Sequence, residues 1–347
     1  MSAAPYLHRW YPVLRETLPW LGLGERPTPV RPLDGLGISE PASPARIWLK
    51  DDGVFGSAWG GNKARKLEWV LADTIAKRRR TILTVGALGT NHGLATALYA
   101  REHGIGTAIA LVEQPRDDHV ASQLARLERS GARLHMTGGT LRTIASLPWL
   151  IVRHTDVRRM RPPYLLTAGG SSPVGCLGYV DAALELADQV SRGELPEPSH
   201  VVVALGSGGT AAGLLLGLRL AGLETRVVAA VVYGHPRLES KIVARLARRT
   251  AKLLRERGAE LPRLRLEPAD MTIEPRWLGP GYGHRTEAAE SASRLARERA
   301  GLALDPVYTG KAMAALLGLE AEGAFGSGPV LYWHTHNAFP IPEPFDV

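Results

Sequence analysis

The sequence predicts an α/β protein built on open, mostly parallel twisted sheets. Three observations point there. Short apolar runs alternate with helical patterns along the chain, several of those runs are apolar on both faces, and glycine-rich turns repeatedly carry a strand into a helix. In order, RIWLK (46–50), TILTVG (81–86), GTAIALVE (106–113), ARLHMTG (132–138), YLLTAGG (164–170), HVVVALG (200–206), RVVAAVVYG (226–234) and PVLYWHT (329–335) read as strands. Helices are expected to follow at Lys63, Asn91, Gly178, Thr210, Arg237, Thr286 and Thr309. RMRPPYLL, around Pro162, is where the chain would cross between two domains.

Composition narrows the function classes. With 347 residues, 45% of them hydrophobic, the chain can bury one large core or two smaller ones. The single cysteine, Cys176, excludes an internal disulfide and fits a reducing compartment, so a cytoplasmic location is expected. The start, MSAAPYLHRWYPVLRETLPW, reads as lacking a signal peptide. The most apolar stretch, VVVALGSGGTAAGLLLGLRLAG, is interrupted by Gly206–Thr210 and reads as strand, turn and helix rather than a membrane span. A net charge of +8 raises nucleic acid as a partner. The basic residues are dispersed, however. The densest run, from Lys241, places Ile242, Val243, Leu246, Leu253 and Leu254 on an apolar stripe and reads as a helix with a solvated basic face, so no nucleic-acid partner is expected.

Four turns carry the chemistry. In the first, Gly206-Ser207-Gly208-Gly209-Thr210 joins a buried strand to a helix, a place where backbone N–H groups can curl around a phosphate; an ordinary tight turn would look the same. The dinucleotide reading also needs an acid ending the next strand, and RVVAAVVYG has none; a G-x-x-x-x-G-K-[ST] loop is absent too. In the second, Thr90, Asn91 and His92 stand at a helix start. They suit a carboxylate or phenolate oxygen, or simple capping. In the third, WGGNKARKLEW sets Lys63 at the start of a helix with Asn62 as cap and Leu67, Val70, Leu71 and Ile75 on the buried side. The positive helix end disfavours an ammonium there and favours a neutral amine able to attack an aldehyde, although a lysine reaching solvent fits the same letters. In the fourth, Asp305-Pro306 leads into Tyr308-Thr309-Gly310. Together the turns suit a ligand with a phosphate, a carbonyl and an aromatic nitrogen, and pyridoxal 5'-phosphate has all three.

Six segments occur in one order: KDDGVFGSAWGGNKARKLEW, TNHG, GGSSPVGCLGYVDAALEL, GSGGTAAG, GPGYGHRTEAA and DPVYTGKAM. As a set they resemble the pyridoxal-phosphate family of D-cysteine desulfhydrases and 1-aminocyclopropane-1-carboxylate deaminases, of the tryptophan synthase β-like fold (fold type II). The resemblance implies a large domain of residues 1–64 and 166–347, a small inserted α/β domain of 65–165, an active site between them, and a homodimer. It implies Lys63 as the Schiff-base lysine, Asn91 on the cofactor's phenolic oxygen, the Gly206–Thr210 turn on its phosphate with Lys66 as a second contact, Thr90 and His92 at the substrate carboxylate, and Tyr282 and Tyr308 beside the substrate for acid–base work. It sets Thr309 against the pyridine nitrogen, where the ring-opening deaminases carry glutamate. A hydroxyl does not hold that nitrogen protonated as a carboxylate would, which favours α,β-elimination of a small amino acid to a 2-keto acid and ammonia.

Three positions depart from the family pattern. His336 and Asn337 stand where two glycines are usual, and Thr90 replaces a serine. His334 and His336 share a strand face, but no third ligand appears at matching spacing, so no metal site is expected. Ring opening, racemisation, β-replacement and non-catalytic binding of the cofactor or of nucleic acid are the competing readings.

Overall fold

The computed structural model describes residues 3–33, 35–36, 46–115, 118–234 and 239–338. Its strands are β1 (Val30–Pro32), β2 (Ile47–Asp51), β3 (Thr81–Ala87), β4 (Gly106–Val112), β5 (Arg133–Gly138), β6 (Tyr164–Leu166), β7 (His200–Leu205), β8 (Arg226–Val231), β9 (Met271–Glu274) and β10 (Val330–His334). Its helices are α1 (Tyr6–Trp10), α2 (Leu14–Thr17), α3 (Asn62–Ala76), α4 (Asn91–Glu102), α5 (Asp118–Arg129), α6 (Thr140–Arg153), α7 (Pro173–Ser191), α8 (Gly209–Leu220), α9 (Ser240–Glu256), α10 (Glu287–Ala300) and α11 (Thr309–Ala321). Among the described residues no helix is long and apolar enough to cross a membrane.

The strands form two sheets. The first runs β1-β2-β10-β7-β8-β9 and is parallel except where β1 meets β2. The second runs β5-β4-β3-β6 and is parallel throughout. Strand periodicity divides the cores. Val201, Val203 and Leu205 of β7 face α7, α8 and α9 on one side, while Val202 faces α10 and α11 on the other. The second sheet is covered unevenly. Ile82, Ile109 and Leu111 pack under α3, α4 and α5, whereas Leu83, Ala108 and Ala110 on the opposite face meet a small cluster with Leu150 of α6.

Several elements differ from the sequence reading. YLLTAGG stops as a strand at Leu166 and turns through a single 3-10 turn at Ala168–Gly170, where Gly169 and Gly170 take left-handed φ. RVVAAVVYG stops at Val231. The helix expected at Gly178 begins earlier, at Pro173, with Ser172 capping the Gly175 N–H. Glycines at 175 and 178 look like breakers, but they serve contact: a Cβ at Gly178 would collide with the Arg65 carbonyl, so the glycine lets α7 and α3 touch backbone to backbone. Arg237 lies outside the described residues, and α9 is described from Ser240. The short β1 and β9, and the helices α1, α2, α5 and α6, were not expected.

Helix α3 overturns its expected pattern. Gly61, with φ 89°, takes the cap position instead of Asn62, and Ile75 is 45% exposed. Every residue from Ala64 to Thr74 is buried, polar ones included. The reason lies in partners distant in sequence. The Arg65 guanidinium meets Asp52 Oδ1 at 2.8 Å and both Glu185 carboxylate oxygens at 2.9 and 3.1 Å. Lys50 Nζ reaches Glu185 Oε1 at 2.5 Å and Gln189 Oε1 at 2.7 Å, while Tyr179 and Trp333 both donate to Asp52 Oδ2 at 2.7 Å. The Lys50, Arg65, Asp52 and Glu185 side chains are all fully buried.

Similarly, Ile242 of α9 is 46% exposed, and the buried stripe runs through Val243, Ala247, Ala251 and Leu254. Replacing Glu185 by Gln, or Arg65 by Met, strands buried charge and is expected to cost about 3–5 kcal/mol, read from urea-unfolding midpoints. Removing the exposed Lys252–Glu256 pair should leave the midpoint unchanged.

Candidate active site

A cavity of about 440 Å³ opens where the carboxyl ends of β3, β4, β7, β8 and β10 approach the N-termini of α3, α4, α8 and α11. Such strand ends are where open α/β sheets place ligands. Lys63, Lys66, Thr90, Asn91, His92, Gly206, Ser207, Gly208, Gly209, Thr210, Tyr282, Tyr308 and Thr309 all line this one cavity, as do His336 and Asn337.

Lys63 is the second residue of α3 and part-buried. The loop before it lies against the end of β10: Asn62 N–H donates to the Thr335 carbonyl at 3.1 Å, and a Cβ at Gly61 would come within 2.5 Å of that oxygen. Asn337 Oδ1 accepts the Gly60 N–H at 2.7 Å, so the side chain that replaces a usual glycine tethers this loop. Lys63 Nζ donates to Asn62 Oδ1 at 2.8 Å, and Asn62 Nδ2 donates to Thr210 Oγ1 at 3.2 Å, linking the amine to the α8 turn. Burial, helped by the Lys66 ammonium nearby, drives the Lys63 pKa well below the usual lysine range. That direction favours the neutral, nucleophilic form of the amine over the ammonium.

Two glycine turns face each other beyond it. Gly208 takes φ 86° at the cap of α8, Gly209 N–H donates to Ser171 Oγ at 2.9 Å, and Ser171 Oγ bonds Ser207 Oγ at 2.7 Å. A Cβ at Gly209 would sit 2.6 Å from Ser171 Oγ and 3.0 Å from Lys66 Nζ. Bare backbone, two hydroxyls, a helix N-terminus and an ammonium form a cradle fitted to a phosphate dianion. Burial pushes Lys66 down to about 8, leaving it charged at neutral pH. The donor set fits pyridoxal phosphate: a phosphate cradle and a neutral amine share one cavity.

On the opposite wall, Thr90 caps α4 by accepting the Gly93 N–H at 3.1 Å. The Asn91 side-chain carbonyl accepts from Gln123 Nε2 at 2.6 Å, which fixes the amide so that its NH₂ is the end left for a ligand. His92 Nε2 pairs with Thr84 Oγ1 at 3.2 Å, and its buried Nδ1 has no partner among the described residues. Burial, then Lys63 and Lys66, keep this imidazole neutral. Tyr282 and Tyr308 join hydroxyl to hydroxyl at 2.7 Å, and Tyr233 packs edge-on against Tyr282. Burial raises Tyr282 to about 12 and Tyr308 well above its usual value, so both are protonated at neutral pH. Thr309 Oγ1 accepts the Asp305 N–H at 2.8 Å, and Asp305 Oδ1 accepts the N–H groups of Val307 and Tyr308, which holds the turn rigid. Lys311 Nζ bonds the Leu278 and Gly281 carbonyls, pinning the loop that carries Tyr282.

Sequence reasoning missed Ser171, Gln123, Tyr233 and Lys311. Ser171 and Lys311 sit inside quoted motifs, and Tyr233 ends a predicted strand beside the phosphate turn. Gln123 has no local signal, because its helix was not foreseen.

A model of the family described as pyridoxal-phosphate dependent enzyme matches residues 21–336. The chain belongs to that family. Its cofactor is pyridoxal phosphate and it is an enzyme of this class. It is 34% identical to a putative 1-aminocyclopropane-1-carboxylate deaminase of Pyrococcus furiosus over 84% of each chain, and 35% identical to a D-cysteine desulfhydrase of Salmonella choleraesuis over 84% of this chain and 87% of the other. Among solved structures, an ACC deaminase homologue superposes with a TM-score of 0.77 at 28% identity, covering 96% of this chain and 95% of that one. A T.th. threonine deaminase, at 19% identity and a TM-score of 0.57, covering 86% of this chain and 89% of its own, shares the fold.

A solvated lysine would gain about 100-fold in neutral amine between about pH 7 and 9. Lys63, held well below the usual lysine range, gains less, while Lys66, at about 8, loses its charge within that range. The cradle's affinity for a phosphate ester is therefore expected to fall as pH rises from about 7 to 9, measured by titrating the apoenzyme with 4'-deoxypyridoxine 5'-phosphate, which cannot react with Lys63.

Proposed function

We propose that the enzyme is a lyase that carries out α,β-elimination on a small amino acid, with D-cysteine the first candidate, to give pyruvate, ammonia and sulfide. Bound pyridoxal phosphate supplies an electron sink for the pair released at Cα. Lys63 would hold the cofactor at its aldehyde carbon, and its amine, placed in the cavity, would move the Cα proton. Thr90, Asn91 and His92 orient the substrate carboxylate and the cofactor's phenolic oxygen. The Tyr282–Tyr308 pair, both protonated, delivers a proton to the departing sulfur. Water then releases the amino group as ammonia. Residues 65–165 act as the small inserted domain of this site, and residues 1–64 and 166–347 as the large one.

The observation that carries elimination is the hydroxyl of Thr309, locked onto the Asp305 backbone at the place the family resemblance sets against the pyridine nitrogen. With no carboxylate at 309, ring opening is the weaker reading. Purified holoenzyme is expected to yield sulfide and pyruvate from D-cysteine and no 2-oxobutyrate from 1-aminocyclopropane-1-carboxylate. Borohydride should fix the cofactor on Lys63 by peptide mass spectrometry, and Tyr308→Phe should lower kcat by about 10²–10⁴. Turnover of the cyclopropane substrate without sulfide from D-cysteine would reverse the assignment.

We also propose that the enzyme is a cytoplasmic homodimer that binds no nucleic acid. The thinly covered face of the second sheet supports pairing, since Leu141, Trp149 and Val152 of α6, with Met136 of β5, stand more than half exposed. Light scattering should give the mass of two chains, and a Trp149→Asp/Val152→Asp variant should give one.

A further inference from the structure

We propose that the second sheet carries, at the end remote from the cavity, a binding site for a small anion of two or three linked phosphates. The site is a groove of about 620 Å³ at the start of β3 and β4, whereas the cofactor cavity lies at their carboxyl ends. Arg78, Arg79 and Arg80 line one side, Arg159 and Arg161 another, and His103 a third. No carboxylate lines it among the described residues. The nearest counter-ion, Asp156, meets Arg80 and Arg159 only at 3.9 and 4.0 Å.

The arginines are held there by the fold. Gly106 N–H donates to the Arg80 carbonyl at 2.9 Å, Arg79 Nη1 to the Pro162 carbonyl at 2.9 Å, and Arg161 Nη1 to the Arg78 carbonyl at 3.4 Å. Each of those guanidinium contacts spends one of five N–H donors. Arg78 and Met160 are the non-glycine residues with left-handed φ among the described residues, at 51° and 52°. Both shape the groove: Arg78 lines it directly, and Met160 is the bend between Arg159 and Arg161.

Guanidinium forks match phosphate oxygens in pairs, so a single phosphate would leave most of these donors idle, while linked phosphates would occupy them together. Ile75 and Ile105 give the groove an apolar side, and no Phe, Tyr or Trp lines it to stack bases, which favours a small polyphosphate over a nucleic-acid strand.

Isothermal titration of holoenzyme saturated with pyridoxal phosphate tests this, using orthophosphate, inorganic tripolyphosphate, ATP and a single-stranded RNA. Tripolyphosphate is expected to bind one per chain, at least about tenfold tighter than orthophosphate, without changing the cofactor's absorbance. Arg80→Ala/Arg159→Ala should weaken it about tenfold or more, Arg80→Lys/Arg159→Lys should fall between, and Arg245→Ala/Arg249→Ala on the exposed face of α9 should leave it unchanged. ATP binding tighter than tripolyphosphate supports the site with a nucleotide as its ligand, and equal binding supports it with the phosphate chain alone recognised. Equal weakening by the α9 pair, orthophosphate binding as tightly as tripolyphosphate, no binding, or RNA binding more tightly than either polyphosphate would overturn it. None of these results bears on the elimination reaction.

Discussion

Arg65 sits in full burial between Asp52 and Glu185, and the placement of Lys63 follows from that contact. The guanidinium comes from α3, Asp52 from just beyond β2, and Glu185 from α7; Trp333 of β10 and Tyr179 of α7 close the remaining acceptor positions. A charge removed from water at this depth is tolerable only with its partners in place. The helix is thereby set in rotation and in height. Lys63 and Lys66, three residues apart and so on neighbouring positions of one helical face, both project into the cavity.

With the helix set, the cavity's electrostatics follow. Burial pulls Lys63 well below the usual lysine range, keeps His92 neutral and keeps both tyrosines protonated, while Lys66 stays charged at neutral pH beside the cradle. The result is a site with directional donors and little fixed charge, apart from the place where a dianionic group rests. A cofactor bound there would take up electrons, leaving the protein's own groups to move protons over short distances.

Much of this was legible in the sequence because it is local. Strands buried on both faces announce themselves as apolar runs, and glycine-rich strand-to-helix turns mark where a ligand can meet backbone. Lys63, Asn91, Ser207 and Tyr308 stand at such turns and meet in one cavity. What stayed hidden depends on partners far along the chain. α3 reads as amphipathic because Arg65, Lys66, Glu68 and Asp73 are polar, yet all are buried; Glu68 pairs with Arg26 and Arg65 with Glu185. Gln123 was invisible for a similar reason: its bond to Asn91 crosses between two helices, one of which the pattern did not reveal.

The meeting of α7 and α3 at Gly178 carries a consequence for how this lineage can vary. Even a methyl group there would strike the Arg65 carbonyl and push apart the two helices whose spacing sets Lys63. Position 178 is therefore closed to drift, although it touches no ligand. A survey of natural variants that weighed only residues around the pocket would overlook one of the tightest constraints on its shape.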